Sequence, residues 1–300
     1  MKTPRLTLRL PIAAEPGSAP DQVLKTAEAA EAAGFDAVSI SDHVVMGAHA
    51  DLYPWGDFPF PPEAPWNEPL TILTAVAART TTLGLTTGIL IVPLRPAALL
   101  AKQVATIDAI SGGRLELGVG TGWQKEEFDA LGYDHADRGQ LLTDAMGACR
   151  QLWTGERASF DSKTVSFTDI WCDPTPAQER LPVLFSGTLN ERNLRRIVDL
   201  GDGWIPIMTE RRDGIAAGVE ELRRRFDAAG RDPAELRIRS TARVGKGDDG
   251  RTDLAATLER SRDLVAVGVT ELDIPLTAYD QSTFFDTASA AIGQADWSDR

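Results

Sequence analysis

The 300-residue sequence holds only two cysteines, three histidines and three tyrosines, and it is short of positive charge, with 31 lysines and arginines against 44 acids. Cys149 and Cys172 lack metal-ligand spacing and read as reduced, structural thiols. No His-x-His or Glu-x-x-His pattern supplies ligands, so no metal site is expected. A Gly-x-Ser-x-Gly elbow and a cysteine–histidine signature are also missing, which leaves covalent catalysis without its usual marks. No lysine stands at a strand end, as an aldolase-type lyase would need. A formal charge of −13 argues against nucleic acid and anionic membranes as partners, because both are bound through basic patches. No apolar run approaches the ~18 residues of a membrane span, and the first residues lead directly into a strand pattern without a secretory segment. A cytoplasmic protein acting on a small molecule is the expectation.

What is present is a large apolar complement, 43% of residues, in an alternating order. Strand patterns fall at Leu6–Leu10, Ala37–Ser41, Leu83–Val92, Leu115–Val119, Val183–Ser186, Gly203–Pro206, Arg237–Ala242 and Glu271–Pro275. Helical patterns fall between and after them, at Asp21–Ala33, Pro69–Arg79, Pro96–Ile110, Gln140–Trp153, Leu189–Leu200, Asp213–Ala229, Leu254–Val267 and Thr283–Ile292. Gly34, Gly201 and Gly268 stop three of them shortly before a strand. Strand–helix repetition of this kind predicts an α/β fold, a (β/α)8 TIM barrel occupying 1–300 as a single domain. A doubly wound open sheet is the alternative, because a count of strands does not show closure. Two insertions depart from the minimal barrel. One is a proline- and aromatic-rich loop from Val44 to Asn67 after the second strand, either a substrate lid or a cover over the core; the other is a hairpin from Ala158 to Phe167 before the fifth.

Polar residues at the carboxyl ends of barrel strands are the candidates for chemistry. Ser41-Asp42-His43 ends the second strand, and a histidine there can carry a proton, or alternatively satisfy nearby carbonyls. Asp42 could orient the imidazole, bind a cofactor or cap the loop. His49 and His135 fall in loops and read as solvated. The fourth strand empties into Gly118-Val119-Gly120-Thr121-Gly122, which lacks the Gly-x-Gly-x-x-Gly spacing of a dinucleotide loop; it is either a close approach to a ring or phosphate or a tight turn. After Ser186-Gly187, the Thr188-x-x-Glu191 spacing of a capping box predicts a helix starting near Thr188, whose amides would face an anion at the mouth.

Together these segments resemble the bacterial luciferase-like family. The resemblance is carried by Gly34-Phe35-Asp36-Ala37-Val38-Ser39-Ile40-Ser41-Asp42-His43, Leu94-Arg95-Pro96, Ile110-Ser111-Gly112-Gly113-Arg114, Gly118-Val119-Gly120-Thr121-Gly122-Trp123, Glu126-Glu127-Phe128 and Gly201-Asp202-Gly203-Trp204. The chain looks most like the branch that uses the deazaflavin coenzyme F420; neighbouring branches use FMN with oxygen. The resemblance implies an F420-dependent oxidoreductase transferring hydride to or from a small organic substrate. An FMN-dependent monooxygenase and a flavin- or F420-binding protein without turnover are the alternatives. It also implies a non-prolyl cis peptide at Gly88-Ile89 behind the ring. Asp42 would contact the ring, His43 would act as proton donor, Gly120, Thr121 and Gly122 would line the coenzyme, and Ser186, Gly187 and Thr188 would bind its phosphate. Trp55, Trp66, Trp123 and Met208 are expected to line a hydrophobic substrate pocket. A homodimer is implied by the family alone. The family's sugar-phosphate dehydrogenases have glutamate where Trp123 stands and tryptophan where Gly47 stands, so a sugar phosphate is not the expected substrate.

Overall fold

A computed structural model describes residues 3–12, 19–248, 250–276 and 281–297, with the backbone alone at 281 and 282. Position 249, in the loop after Ala242, lies outside the described residues. The barrel strands are β1 (Arg5–Arg9), β2 (Ala37–Ile40), β3 (Gly84–Thr87), β4 (Leu115–Gly120), β5 (Val183–Ser186), β6 (Gly203–Ile205), β7 (Arg237–Thr241) and β8 (Glu271–Pro275). Each pairs in parallel with the next, and β8 returns to β1 with Arg5 opposite Glu271. The pairing of Leu85 with Leu115 joins β3 to β4, so the sheet closes and the open doubly wound arrangement is excluded. A short segment, Leu90–Ile91, resumes pairing with β4 beyond the break at Gly88-Ile89.

Helices α1 (Pro20–Ala33), α2 (Pro69–Arg79), α3 (Ala97–Ser111), α4 (Lys125–Leu131), α5 (Arg138–Leu152), α6 (Glu191–Asp199), α7 (Arg212–Ala228), α8 (Leu254–Ala266) and α9 (Gln281–Gln294) fill the connections. Their stops follow the chemistry of the sequence: Gly34 and Gly112 close α1 and α3 in the left-handed conformation. Gly201 serves another purpose, because a Cβ there would stand 2.8 Å from the Phe185 ring. The start of α6 differs from the capping-box expectation. Asn190, not Thr188, is the N-cap, its Oδ1 accepting from the Asn193 N–H at 3.0 Å, and Glu191 is the first helical residue. Asn is as good an N-cap as Thr, and its acceptor lies closer to this helix. The predicted insertion forms an antiparallel hairpin, Ala158–Asp161 with Ser166–Ile170.

Outward-facing strand residues such as Leu6, Leu8, Val38 and Ile40 bury against helix stripes such as Val23, Ala27 and Ala30. The inside of the barrel is ionic. Arg239 is buried at its centre, where it donates to Thr86 Oγ1 and to the Thr87 carbonyl and lies near Glu116 and Glu271. Gly118 is required here, because a Cβ would collide with the Arg239 guanidinium and the Thr87 oxygen. Burial, and then the neighbouring Glu116 charge, raise the Glu271 carboxyl.

Candidate active site

At the carboxyl ends of the strands, residues that are accessible interrupt otherwise buried runs. Arg9, Ser41, Gly88, Ile89, Thr121, Gly122, Trp123, Ser186, Gly187 and Ile205 are all partly exposed there. This ring of accessible strand ends is the mouth of the barrel. Its most tightly specified part is the Gly88-Ile89 peptide, which is cis, as the resemblance implied. The Gly88 N–H donates to the Ile40 carbonyl at 2.8 Å, and the Ser41 hydroxyl donates to the Gly88 carbonyl at 3.0 Å. One residue earlier, Thr87 Oγ1 both donates to the Gly118 carbonyl at 2.7 Å and accepts from the Gly118 N–H at 3.0 Å. The segment is thus bonded to β2 on one side and β4 on the other. Gly120 and Gly122 serve the same segment: a Cβ on Gly120 would lie 2.8 Å from Ile89 Cδ1, and one on Gly122 2.7 Å from Ile91 Cγ2. Gly120 is itself buried, so it shapes the mouth through Ile89.

Asp42 is buried and aimed at the chain. Its Oδ2 accepts from the Ile91 N–H at 2.8 Å and from Arg95 Nη1 at 2.6 Å, and its Oδ1 accepts from Arg95 Nη2 at 3.0 Å. Arg95 also reaches Glu68 Oε1 at 2.8 Å, and although its burial opposes charge, Asp42 and then Glu68 raise its pKa above the usual value.

His43 faces the opposite way. Its Nδ1 lies 3.0 Å from Oε2 of Glu127, which is fully buried on α4, while Glu127 Oε1 accepts from the Val44 N–H at 2.9 Å. A carboxylate accepts only, so Nδ1 carries the hydrogen and Nε2 is left to exchange a proton. In the sequence Glu127 is marked only by its place in the Glu126-Glu127-Phe128 run of a short helix directly after the glycine turn, beside the buried Phe128. Around the imidazole the loop from Val44 to Asn67 folds back. Trp66 lies 4.6 Å from the His43 ring, Phe58 5.8 Å and Trp123 6.2 Å, all edge-on, and Tyr53 meets Trp123 edge-on at 5.2 Å. Trp55 joins this cluster through Tyr53, at 5.2 Å. Met208, after β6, is 66% exposed. The Gly47 N–H donates to Gln124 Oε1 at 2.9 Å, and a Cβ on Gly47 would fall 2.6 Å from Glu126, so no tryptophan fits there. His49 is solvated as expected. His135 is not: it lies 3.0 Å from the Trp123 carbonyl and 5.1 Å from Phe128, and burial and then Arg138 lower its pKa.

Across the mouth, Gly187 has φ +122°, a conformation that favours glycine, and Thr188 after it is exposed. The Gly187 carbonyl is fixed by the indole N–H of Trp204 at 2.7 Å. Glu191, the acid next to this turn, is neutralised by Arg225 at 2.9 Å and Arg195 at 3.3 Å. The mouth residues fit a flat ring with a phosphate: a bonded, accessible peptide platform at one end and an exposed glycine turn with its acid paired at the other. Among the described residues no cluster of three or more metal-ligating side chains occurs, and no helix is long and apolar enough to cross a membrane.

Residues 7–267 match the luciferase-like monooxygenase family. The chain is 32% identical to the F420-dependent hydroxymycolic acid dehydrogenase of Mycobacterium tuberculosis over 250 residues, covering 80% of this chain and 63% of that protein. It is 31% identical to the FMNH(2)-dependent dimethylsulfone monooxygenase of Pseudomonas putida over 209 residues, covering 69% of this chain and 53% of that protein. In fold it is similar to an F420-dependent secondary alcohol dehydrogenase solved with an F420-acetone adduct, with a TM-score of 0.81 at 15% identity, over 98% of this chain and 99% of that one. The chain belongs to the luciferase-like monooxygenase family, among relatives that are F420- or flavin-dependent oxidoreductases and monooxygenases.

Proposed function

We propose that the protein is an F420-dependent oxidoreductase in which His43 moves the proton that accompanies hydride transfer to or from a small organic substrate. The observation that carries this reading is the buried His43–Glu127 pair standing beside the accessible Gly88-Ile89 platform. When bound, the deazaflavin supplies or accepts the hydride. The chain's own part is positioning and proton movement. Gly88 and Ile89 would support the ring, Thr121 and Gly122 would line it, and Ser186, Gly187 and Thr188 would hold the phosphate. Glu127 keeps the Nδ1 hydrogen in place and offsets the charge when Nε2 is protonated, so Nε2 can give and retake a proton at the substrate. Asp42, bonded on both oxygens, acts as a positioning residue that fixes Ile91 behind the platform. Trp66, Trp123, Phe58 and Tyr53 would exclude water and favour an apolar substrate. Assembly as a homodimer, a cytoplasmic location and a single domain over the whole chain belong to the same reading, by analogy with the family.

A second reading, an FMN-dependent monooxygenase on the same mouth, is favoured by the 31% identity to the dimethylsulfone monooxygenase. Equilibrium titration of the purified protein with F420 and with FMN, followed by absorbance, separates the two. Saturable binding of F420 with none of FMN supports the first reading; the reverse result replaces it with the second.

A further inference from the structure

Around His43 and the mouth, several hydrogen-bond donors lack acceptors. Gln124 is 1% exposed; its Oε1 is committed to the Gly47 N–H, which fixes the amide's orientation and leaves Nε2 without an acceptor. The indole N–H of Trp66, the ring nearest His43, also has no acceptor. Arg9 ends β1. It donates from Nε at 3.1 Å and from Nη2 to Asp273 Oδ2, and from Nη2 to Thr241 Oγ1 at 3.1 Å, while its Nη1 meets no acceptor among the described residues. Asp273 is buried and fully used, since the Ser39 hydroxyl donates to its Oδ1 at 2.7 Å. Its Oδ2 lies 4.0 Å from the place of a Gly88 Cβ, which sets the Arg9 guanidinium beside the platform. That side chain is 23% exposed at the mouth, and its charge is felt by Tyr53, which packs on Trp123.

Buried side-chain oxygens without a hydrogen bond, among the described residues, belong to Glu116 and Glu271, which face Arg239 inside the barrel, to Asn193 on α6 and to Asp263 on α8. Three unpaired donors, set against the single free acceptor His43 Nε2, are complementary to a ligand that brings acceptor oxygens. In a chain of net charge −13, a fixed guanidinium with a free N–H edge at the mouth selects a carboxylate in particular. The surrounding rings call for an apolar body.

We propose that the substrate is an apolar carboxylic acid and that Arg9, through its unpaired Nη1, anchors the carboxylate and determines specificity. The proposal rests on the proposed function, since it assigns the substrate class of the same site. Its test does not require turnover. Phenylacetate and phenylacetamide are titrated into the full chain, with and without F420, and quenching of the tryptophan fluorescence is followed. Phenylacetate is expected to bind about tenfold or more tightly than the amide. That preference should vanish in Arg9→Met and return in part in Arg9→Lys. Because Arg9→Met strands the buried Asp273, the double variant Arg9→Met/Asp273→Asn provides a neutral pair and should show the same loss. Equal binding of the two probes, binding of neither, or a preference that survives in the neutral variants would overturn the proposal. Failure of the coenzyme assignment looks different: no F420 binding, with the carboxylate preference intact.

Discussion

Replacing Asp42 by alanine tests how the platform is held. Asp42 makes three hydrogen bonds, two to Arg95 and one to the Ile91 N–H, from a side chain that is essentially buried. Removing one partner of a buried ion pair costs about 3–5 kcal/mol, because the remaining charge is left without compensation. Arg95 is 10% exposed and keeps its bond to the half-exposed Glu68, which places the expected loss toward the lower half of that range. With an unfolding entropy of about 2.1 cal/mol/K per residue, a 300-residue chain loses roughly 1.6 °C of melting temperature per kcal/mol. D42A should therefore melt about 5–6 °C below the wild type. D42N keeps an acceptor for the Ile91 amide and should lose less. The double variant D42A/R95M removes both charges and should recover much of the deficit. Calorimetry reads all of these without a substrate. A D42A melting temperature within 1 °C of wild type, or a double variant no more stable than D42A, would refute the positioning role.

Other expectations follow from the same contacts. E127Q keeps the shape of the acid but loses its charge, and a charge-assisted hydrogen bond is worth about 1.5–3 kcal/mol; turnover of any substrate the wild type accepts should fall about 10- to 150-fold, and an unchanged rate would mean His43 does not need this carboxylate. Although burial works to raise it, the Glu31 carboxyl is lowered to about 2 by bonds from the amides of Thr82, Thr81 and Leu83. Its folded pKa is depressed, so its contribution is full above the usual carboxylate range and disappears as pH falls toward about 2. E31A should cost about 0.5–1 kcal/mol at neutral pH, water replacing the carboxylate at the exposed Thr81 and Thr82 amides, and progressively less in acid, as denaturant melts across pH would show. The Cys149 thiol is pushed up to about 12 by burial, so iodoacetamide should leave it unmodified in the folded protein at neutral pH, and rapid labelling would contradict its packing. G187V forces a branched side chain into φ +122° and should abolish coenzyme binding while leaving the barrel folded by circular dichroism.

Much of this architecture was legible because burial on both faces writes itself as continuous apolar strand runs and helix stripes. Val183–Ser186 and Glu271–Pro275 match the observed strands end to end, as does the helix Pro69–Arg79. Closure was not legible, since it depends on register between residues far apart, such as Leu85 and Leu115. Among site residues, His43 stood out by residue type and position. Its partner did not: an acid on a short helix looks like any solvated acid until the fold turns it inward. Asp42 shows the complementary difficulty, because only coordinates reveal that Arg95 and Ile91 occupy its oxygens. The three glycines in and just after β4 announced a close approach without saying of what; the neighbours turn out to be Arg239, Ile89 and Ile91.

The most direct measurement is a crystal structure of the protein grown with F420. The account predicts the deazaflavin ring lying across Gly88-Ile89, its phosphate at Gly187-Thr188 and His43 Nε2 facing the space above the ring. A ring found elsewhere, for instance in the separate arginine-lined cleft of Arg211, Arg212 and Arg243, with the Gly88-Ile89 platform bare, would contradict it.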